Sequence, residues 1–260
     1  MENPTLELLY ARKSVRAYED RPIPEEDVRR ILNAAVQAPS AGNMALWTII
    51  RVTDEEKKRR LAVTCDNQPF IAKAPLVLVF CADYKRWFDA FSALDLGGEA
   101  LRKPGEGDLM LAAVDTVIAA HASVVAADAL GYGSCYIGDI LEHCEEQREI
   151  LGLPEYVTPI CMAVYGVPTQ QQIERKKPAR FDLDELVHEN AYRDVGAQGM
   201  RKMLERRQGL SGEAFDRWML AFCKRKWNSA FSEEMTRSTK ASIDAWVRGR
   251  AVPASTSEEA

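Results

Sequence analysis

Four residues near the start of the chain, Arg12, Lys13, Ser14 and Arg16, put three cations and a hydroxyl within five positions. Fixed cations beside a hydroxyl suit a phosphate monoester, because hydrogen bonds with an ionised partner are about twice as strong as neutral ones. The same composition also describes an ordinary solvated charge run. A second group, Ala38-Pro39-Ser40-Ala41-Gly42-Asn43, combines small residues with a serine and an amide directly after a helical pattern. Such a turn lets backbone N–H groups and the Asn43 side chain approach a flat heterocycle with carbonyl and ring-nitrogen edges. It also reads as a plain helix C-terminus.

Other constellations point away from common chemistries. His121, His143 and His188 are dispersed, and His143 beside Cys144 lacks metal-ligand spacing, so no metal site is expected. No G-x-S-x-G occurs, and the run from Gly131 to Gly138 misses the G-x-G-x-x-G pattern, so a Rossmann nicotinamide site is not expected. Six scattered cysteines without a CxxC pair or a signal-like leader argue for the reducing cytoplasm and against a disulfide framework. No run approaching the ~20 apolar residues of a bilayer span is read from the sequence, so no membrane is expected. The net charge of -5 hides twelve Lys/Arg against six Asp/Glu in residues 201–250. A nucleic-acid surface is one reading of that stretch, but Phe215, Trp218, Met219 and Phe222 follow a helical face instead of interleaving with the cations, so no nucleic-acid partner is expected.

The elements that must position these residues follow from periodicity. Val28, Ile31, Leu32 and Ala35 recur at helical spacing over 25–38 after Pro24. Residues 47–54 alternate as a strand, and Asp54 caps a following helix. Residues 75–83 form a continuous apolar run, as in a strand buried on both faces. Residues 94–108, with four glycines and a proline, read as a loop. The stretch 111–133 is apolar nearly all round and reads as a long helix at a subunit interface. Residues 134–140 and 157–168 supply further strands, and helices are expected at 211–227 and 231–248. The division expected is a core over 1–195, a helical arm over 196–250 and a disordered polar tail over 251–260.

Taken together, Arg12 to Trp47 resembles the opening of the FMN-dependent nitroreductase family, nearest its larger flavin reductase and NADPH nitroreductase branch. The resemblance implies that Arg12, Lys13, Ser14 and Arg16 hold the FMN phosphate and ribityl chain, and that Pro39, Ser40, Ala41 and Asn43 contact the isoalloxazine across a dimer. It implies a ribityl or flavin-edge contact for Gln68, and a place along the flavin face for Tyr136, Ile137 and Gly138. Asp139 stands where the family has a second glycine. Lys177 and Arg180 fall where that branch completes its phosphate clamp, with Ala179 as an extra residue in the spacing.

The fold so implied is α+β, a mixed, mostly antiparallel sheet flanked by helices in an obligate homodimer. The implied chemistry is hydride transfer from NADPH or NADH through FMN to a nitroaromatic, quinone or flavin acceptor, by a ping-pong mechanism, with no catalytic side chain beyond the flavin N5. Two rival readings are a flavoenzyme of the same fold with other chemistry, such as a dehalogenase or azoline-type oxidase, and a flavin-binding module without turnover. Arg201, Arg206 and Arg207 are candidates for the extra phosphate of NADPH.

Overall fold

The computed structural model describes residues 3–249. Along the chain the elements are α1 (Pro4–Ala11), α2 (Glu25–Val36), β1 (Trp47–Arg51), α3 (Glu55–Thr64), α4 (Pro69–Lys73), β2 (Leu76–Asp83), α5 (Lys85–Ser92), α6 (Glu106–Ala129), β3 (Gly133–Ile137), α7 (Cys144–Leu151), β4 (Val157–Gly166), α8 (Gln170–Glu174), α9 (Leu183–Leu186), α10 (Gly196–Gln208), α11 (Gly212–Lys226) and α12 (Ala230–Arg248). They form two compact units, one running to Arg175 and resuming at Glu234, the other spanning Lys176–Glu233.

The sheet of the first unit has the order β1-β2-β4-β3, with every pair of neighbours antiparallel. A parallel bridge between Ser14 and Ser134 adds the N-terminal segment to the β3 edge, so the sheet is mixed and mostly antiparallel. Strand β2 is buried throughout, as its unbroken apolar run requires. Its alternate residues serve opposite faces. Val77, Val79 and Cys81 pack with Leu61, Ile71 and Ile150, whereas Leu76, Leu78 and Phe80 pack with Val28, Ile31 and Val124. Each large side chain buried this way stabilises the unit by roughly 1.5–3 kcal/mol.

Helix α6 starts earlier than the 111–133 periodicity suggests. Asp108 accepts from Gly105 N at 2.8 Å and closes the N-terminus, which shortens the loop expected over 94–108. The helix ends at Ala129, and Gly131 takes the left-handed φ of 85° that lets Tyr132 N return to Ala127 O at 2.9 Å. By length and composition α6 could cross a membrane, contrary to the expectation that no run is long enough. One face explains its apolarity: Ala112, Thr116, Ala119, Ala120 and Ser123 are buried, and Ser123 Oγ lies 2.7 Å from the Tyr165 hydroxyl. On the other face Met110, Val114, Val117 and Ile118 stand exposed.

Helices α1, α4, α5, α7, α8, α9 and α10 were not expected from periodicity. Asn3 caps α1 by accepting from Thr5 N and Leu6 N at 3.1 and 3.2 Å. Helices α5 and α7 are only eight residues each, too short for a clear repeat. The strand expected over 134–140 stops at Ile137, and Asp139–Leu141 turns as a 3₁₀ helix.

The stretch 196–250 is shared between the units. In the second, α11 buries Phe215, and Trp218 stacks on Phe222 with centroids 5.3 Å apart. From Glu234 the chain belongs to the first unit, where Trp246 is buried edge-on to Tyr84 and Tyr156. Ser238 Oγ donates to Leu141 O at 2.6 Å and Arg237 grips Glu145 through two 2.9 Å bonds. The tail expected over 251–260 lies outside the described residues.

Candidate functional site

The N-terminal cations sit on the sheet edge because two glycines let them. A Cβ at Gly133 would stand 2.6 Å from Val15 Cγ2, and one at Gly166 would stand 2.7 Å from the Tyr18 ring. With both positions bare, Val15 N donates to Ser134 O at 2.8 Å and the Tyr18 hydroxyl donates to Val15 O at 2.7 Å. The segment 12–16 is thereby fixed beside β3.

The segment that follows β4 closes over it. Lys13 Nζ donates to Ile173 O at 2.6 Å and to the Arg175 carbonyl. Arg16 N donates to Gln172 Oε1 at 3.3 Å, and Arg175 donates from Nη2 to the Ser14 carbonyl. Arg175 is therefore a cation of this cluster that sequence reasoning missed. Its only signal was the run Arg175-Lys176-Lys177, in which Lys177 was chosen.

Several buried polar atoms here lack a partner: Arg12 Nη1, Arg175 Nε, and Ser134 Oγ. Donors left unmatched in a buried site cost about 1–3 kcal/mol each, so they call for an acceptor. Asp128 on α6 also faces this cluster. Burial pushes its carboxyl up to about 6, with the positive charge of Arg12 opposing that rise. Two guanidinium donors and a serine hydroxyl around Ser14 fit the phosphate of a mononucleotide such as FMN in number and sign.

The second group is pinned to α6. Ala41 N donates to both carboxylate oxygens of Asp115 at 3.1 Å, and Asp115 is 3% exposed. Ser40 Oγ accepts from Ala45 N at 2.9 Å. The turn carries positive φ at Gly42 (57°) and Asn43 (55°), which leaves Pro39, Gly42 and Asn43 exposed. Helix α5 holds its far end: Trp87 Nε1 donates to Met44 O at 2.8 Å and Arg86 Nη2 to Trp47 O at 2.6 Å.

Gln68 and the turn after β3 meet. Gln68 Nε2 donates to Asp139 Oδ2 at 2.9 Å and to Cys65 O at 2.8 Å. Ile137 is buried, Gly138 is exposed and opens the 3₁₀ turn, and burial raises the Tyr136 hydroxyl above its ordinary range. Tyr136 Oη lies 3.4 Å from His121 Nδ1. Since β3 carries Ser134, the third group adjoins the cation cluster through one strand.

Within one chain the second group stands apart from the cation cluster: Asp115, which anchors it, and Asp128, which faces Arg12, are thirteen residues apart on α6, or about 20 Å at 1.5 Å per residue.

Lys177 and Arg180 belong to the second unit, where Arg180 Nη1 donates to Pro178 O at 3.2 Å. In that unit Arg201 pairs with Asp216 at 2.6 Å and Arg206 with Asp182 at 2.8 Å, while Arg207 stacks on the Phe181 ring at 4.2 Å. Among the described residues no group of three His, Cys, Asp or Glu is placed to hold a metal. The cysteines are free, and burial raises the thiols of Cys65 and Cys144 to about 12 and about 11, so both stay protonated at neutral pH.

Known proteins identify the family of the chain. Residues 9–167 match the model of the nitroreductase family. The chain is 34% identical over 191 residues to an FMN reductase [NAD(P)H] of Bacillus subtilis, covering 73% of this chain and 75% of that one. It is 31% identical over 194 residues to an oxygen-insensitive NADPH nitroreductase of Salmonella typhimurium, covering 74% and 76%. Among solved structures, nitroreductase A from Vibrio parahaemolyticus superposes with a TM-score of 0.78 at 25% identity, covering 94% of this chain and 98% of that one. The NADPH:FMN oxidoreductase from Vibrio harveyi complexed with NAD+ gives 0.70 at 28% identity, covering 90% and 91%. This chain belongs to the nitroreductase family.

Proposed function

We propose that the protein is an NAD(P)H-dependent FMN oxidoreductase that reduces small-molecule acceptors of nitroaromatic, quinone or flavin type by a ping-pong mechanism. The observation that carries this reading is the cluster around Ser14, where Arg12 Nη1 and Arg175 Nε are buried donors awaiting an acceptor. FMN, when bound, supplies the hydride relay at its N5. Arg12, Ser14, Arg16 and Arg175 would hold its phosphate, and Lys13, with two of three donors on the backbone carbonyls, stiffens the frame and keeps one donor in reserve. Gln68, Tyr136, Ile137 and Gly138 would line the ribityl chain and the ring.

The working form would be a homodimer in the cytoplasm. Pro39, Ser40, Ala41 and Asn43 lie about 20 Å along α6 from the cation cluster, measured at 1.5 Å per residue. A copy of the same loop from a partner would bring them to the ring. The exposed apolar stripe Met110, Val114, Val117 and Ile118 is the surface such a partner would cover. With nicotinamide and acceptor using one flavin face in turn, initial-rate plots against both substrates should give parallel lines; intersecting lines would contradict the mechanism.

A further inference from the structure

We propose that Asp128 couples FMN binding to the uptake of a proton: its carboxylate and the cofactor phosphate compete for Arg12, and Asp128 Oδ2 takes a proton from solvent as the phosphate arrives. The coupling rests on FMN as the cofactor and adds a regulation of that same site. Asp128 is half-buried near the C-terminal end of α6 and faces Arg12 at the end of α1. Asp128 Oδ2, Arg12 Nη1 and Ser134 Oγ are all buried without a hydrogen-bond partner. Ser134 and Tyr136, two residues apart, share one face of β3, and Tyr136 packs toward Ala120, Val124 and Ala127 of α6. That side of β3 thus gathers a carboxyl, a guanidinium and two hydroxyls.

The groups that face Asp128 decide which charges count. Arg12 opposes it from α1, and the Tyr136 hydroxyl stands on the β3 side. Tyr136 Oη in turn lies 3.4 Å from His121 Nδ1 on α6 and faces Cys161 on β4. Burial raises the Tyr136 hydroxyl above its ordinary range and the Cys161 thiol to about 12, so both are neutral near pH 7. Asp128 and Arg12 are then the pair of opposite charges at this place, with His121 beyond the phenol. Burial pushes the carboxyl up to about 6 even with Arg12 opposing the rise. A phosphate dianion held by Arg12 adds negative charge beside Asp128, and a like charge disfavours the carboxylate further. Its titration therefore moves up on binding, so FMN affinity falls as pH rises above about 6. Protonated Asp128 leaves the charge of Arg12 to the phosphate and gains an O–H donor of its own. The phosphate's second proton, which leaves near pH ~6, works in the opposite direction. A variant of Asp128 separates the two.

Calorimetry on the full chain freed of flavin, at pH 7 in two buffers with different heats of ionisation, counts the protons bound with FMN or with riboflavin. The parent should take up roughly a third of a proton with FMN, as for a carboxyl whose titration moves from about 6 to about 7, less what the phosphate releases. With riboflavin, which has no phosphate, it should take up none. Asp128→Asn should turn the uptake into a slight release, and the ratio of parent to variant Kd for FMN should rise about fivefold between pH 6 and 8. His121→Gln, the control for the imidazole on that side, should keep the uptake. Equal proton counts in the parent and Asp128→Asn, or the same uptake with riboflavin as with FMN, would overturn the proposal. So would loss of the uptake in His121→Gln alone. The comparison of the two flavins uses only the parent and decides whether or not a variant folds. Proton uptake with FMN but no NADPH oxidation would sink the oxidoreductase reading and leave the coupling, and flavin reduction without proton uptake on binding would do the reverse. A parent that binds no FMN would sink both.

Discussion

Gln68 donates from Nε2 to Asp139 Oδ2 at 2.9 Å, joining the loop before α4 to the turn that ends β3. Asp139, where the resemblance implies a glycine, thus orients a candidate flavin contact. With both Nε2 hydrogens committed, to Asp139 and Cys65 O, Gln68 is left with its carbonyl oxygen as an acceptor. Asp139→Ala frees the amide to rotate. We expect FMN affinity to fall several-fold, in line with the roughly 0.5–1.5 kcal/mol net value of a hydrogen bond, with Asp139→Asn largely restoring it. Fluorescence titration of FMN checks this, and equal affinity in all three proteins contradicts it.

Asp115→Ala should be more damaging. It strips the buried anchor from Ala41 N and leaves the 40–45 turn tied only from α5. Loss of a hydrogen bond to a charged group costs about 1.5–3 kcal/mol, so turnover with menadione should drop about tenfold or more. Asp115→Asn keeps an acceptor and should recover most of that. If Asn and Ala behave alike, the carboxylate does not position the turn.

The phosphate assignment separates cations that look alike in sequence. Arg16→Ala and Arg175→Ala should each weaken FMN about ten- to a hundredfold, the value of one charge-assisted contact, while leaving riboflavin affinity nearly unchanged. Arg21, paired with Glu19 at the surface, serves as the control. Parallel losses for FMN and riboflavin would contradict a phosphate contact.

How far the sequence reached depends on the kind of signal. Arg12 to Arg16 and the 38–43 turn were legible because their side chains are chemically marked and contiguous. Strand β2 was legible because burial on both faces leaves an unbroken apolar run. Arg175 was not: only the return of the chain after β4 brings it onto Ser14, and two further cations follow it. Asp115 was hidden because a lone carboxylate in a small-residue helix looks like a surface position, and only the docking of Ala41 explains its burial. The start of α6 was misplaced because Gly105 and Gly107 suggest a loop, whereas Asp108 closes a helical turn there.

Asp128 gives the fold a pH dependence of definite sign. Its carboxyl is raised from 3.8 to about 6 by burial, so the folded protein holds that proton longer than the unfolded chain does. Its contribution to stability therefore falls as pH rises through that interval and stays low above about 6. Asp128→Asn should remove the slope and raise Tm at neutral pH. Melting curves from pH 4 to 8 check this; a variant with the parent's slope would show that Asp128 does not titrate there.

The most direct measurement of the central claim is an anaerobic titration of the purified protein with NADPH, followed by menadione, watched in the visible spectrum. Bound FMN should be bleached by one equivalent of NADPH and its absorbance restored by one equivalent of menadione. A protein that binds no FMN after incubation with it, or whose bound FMN is not bleached by NADPH or NADH, would contradict it.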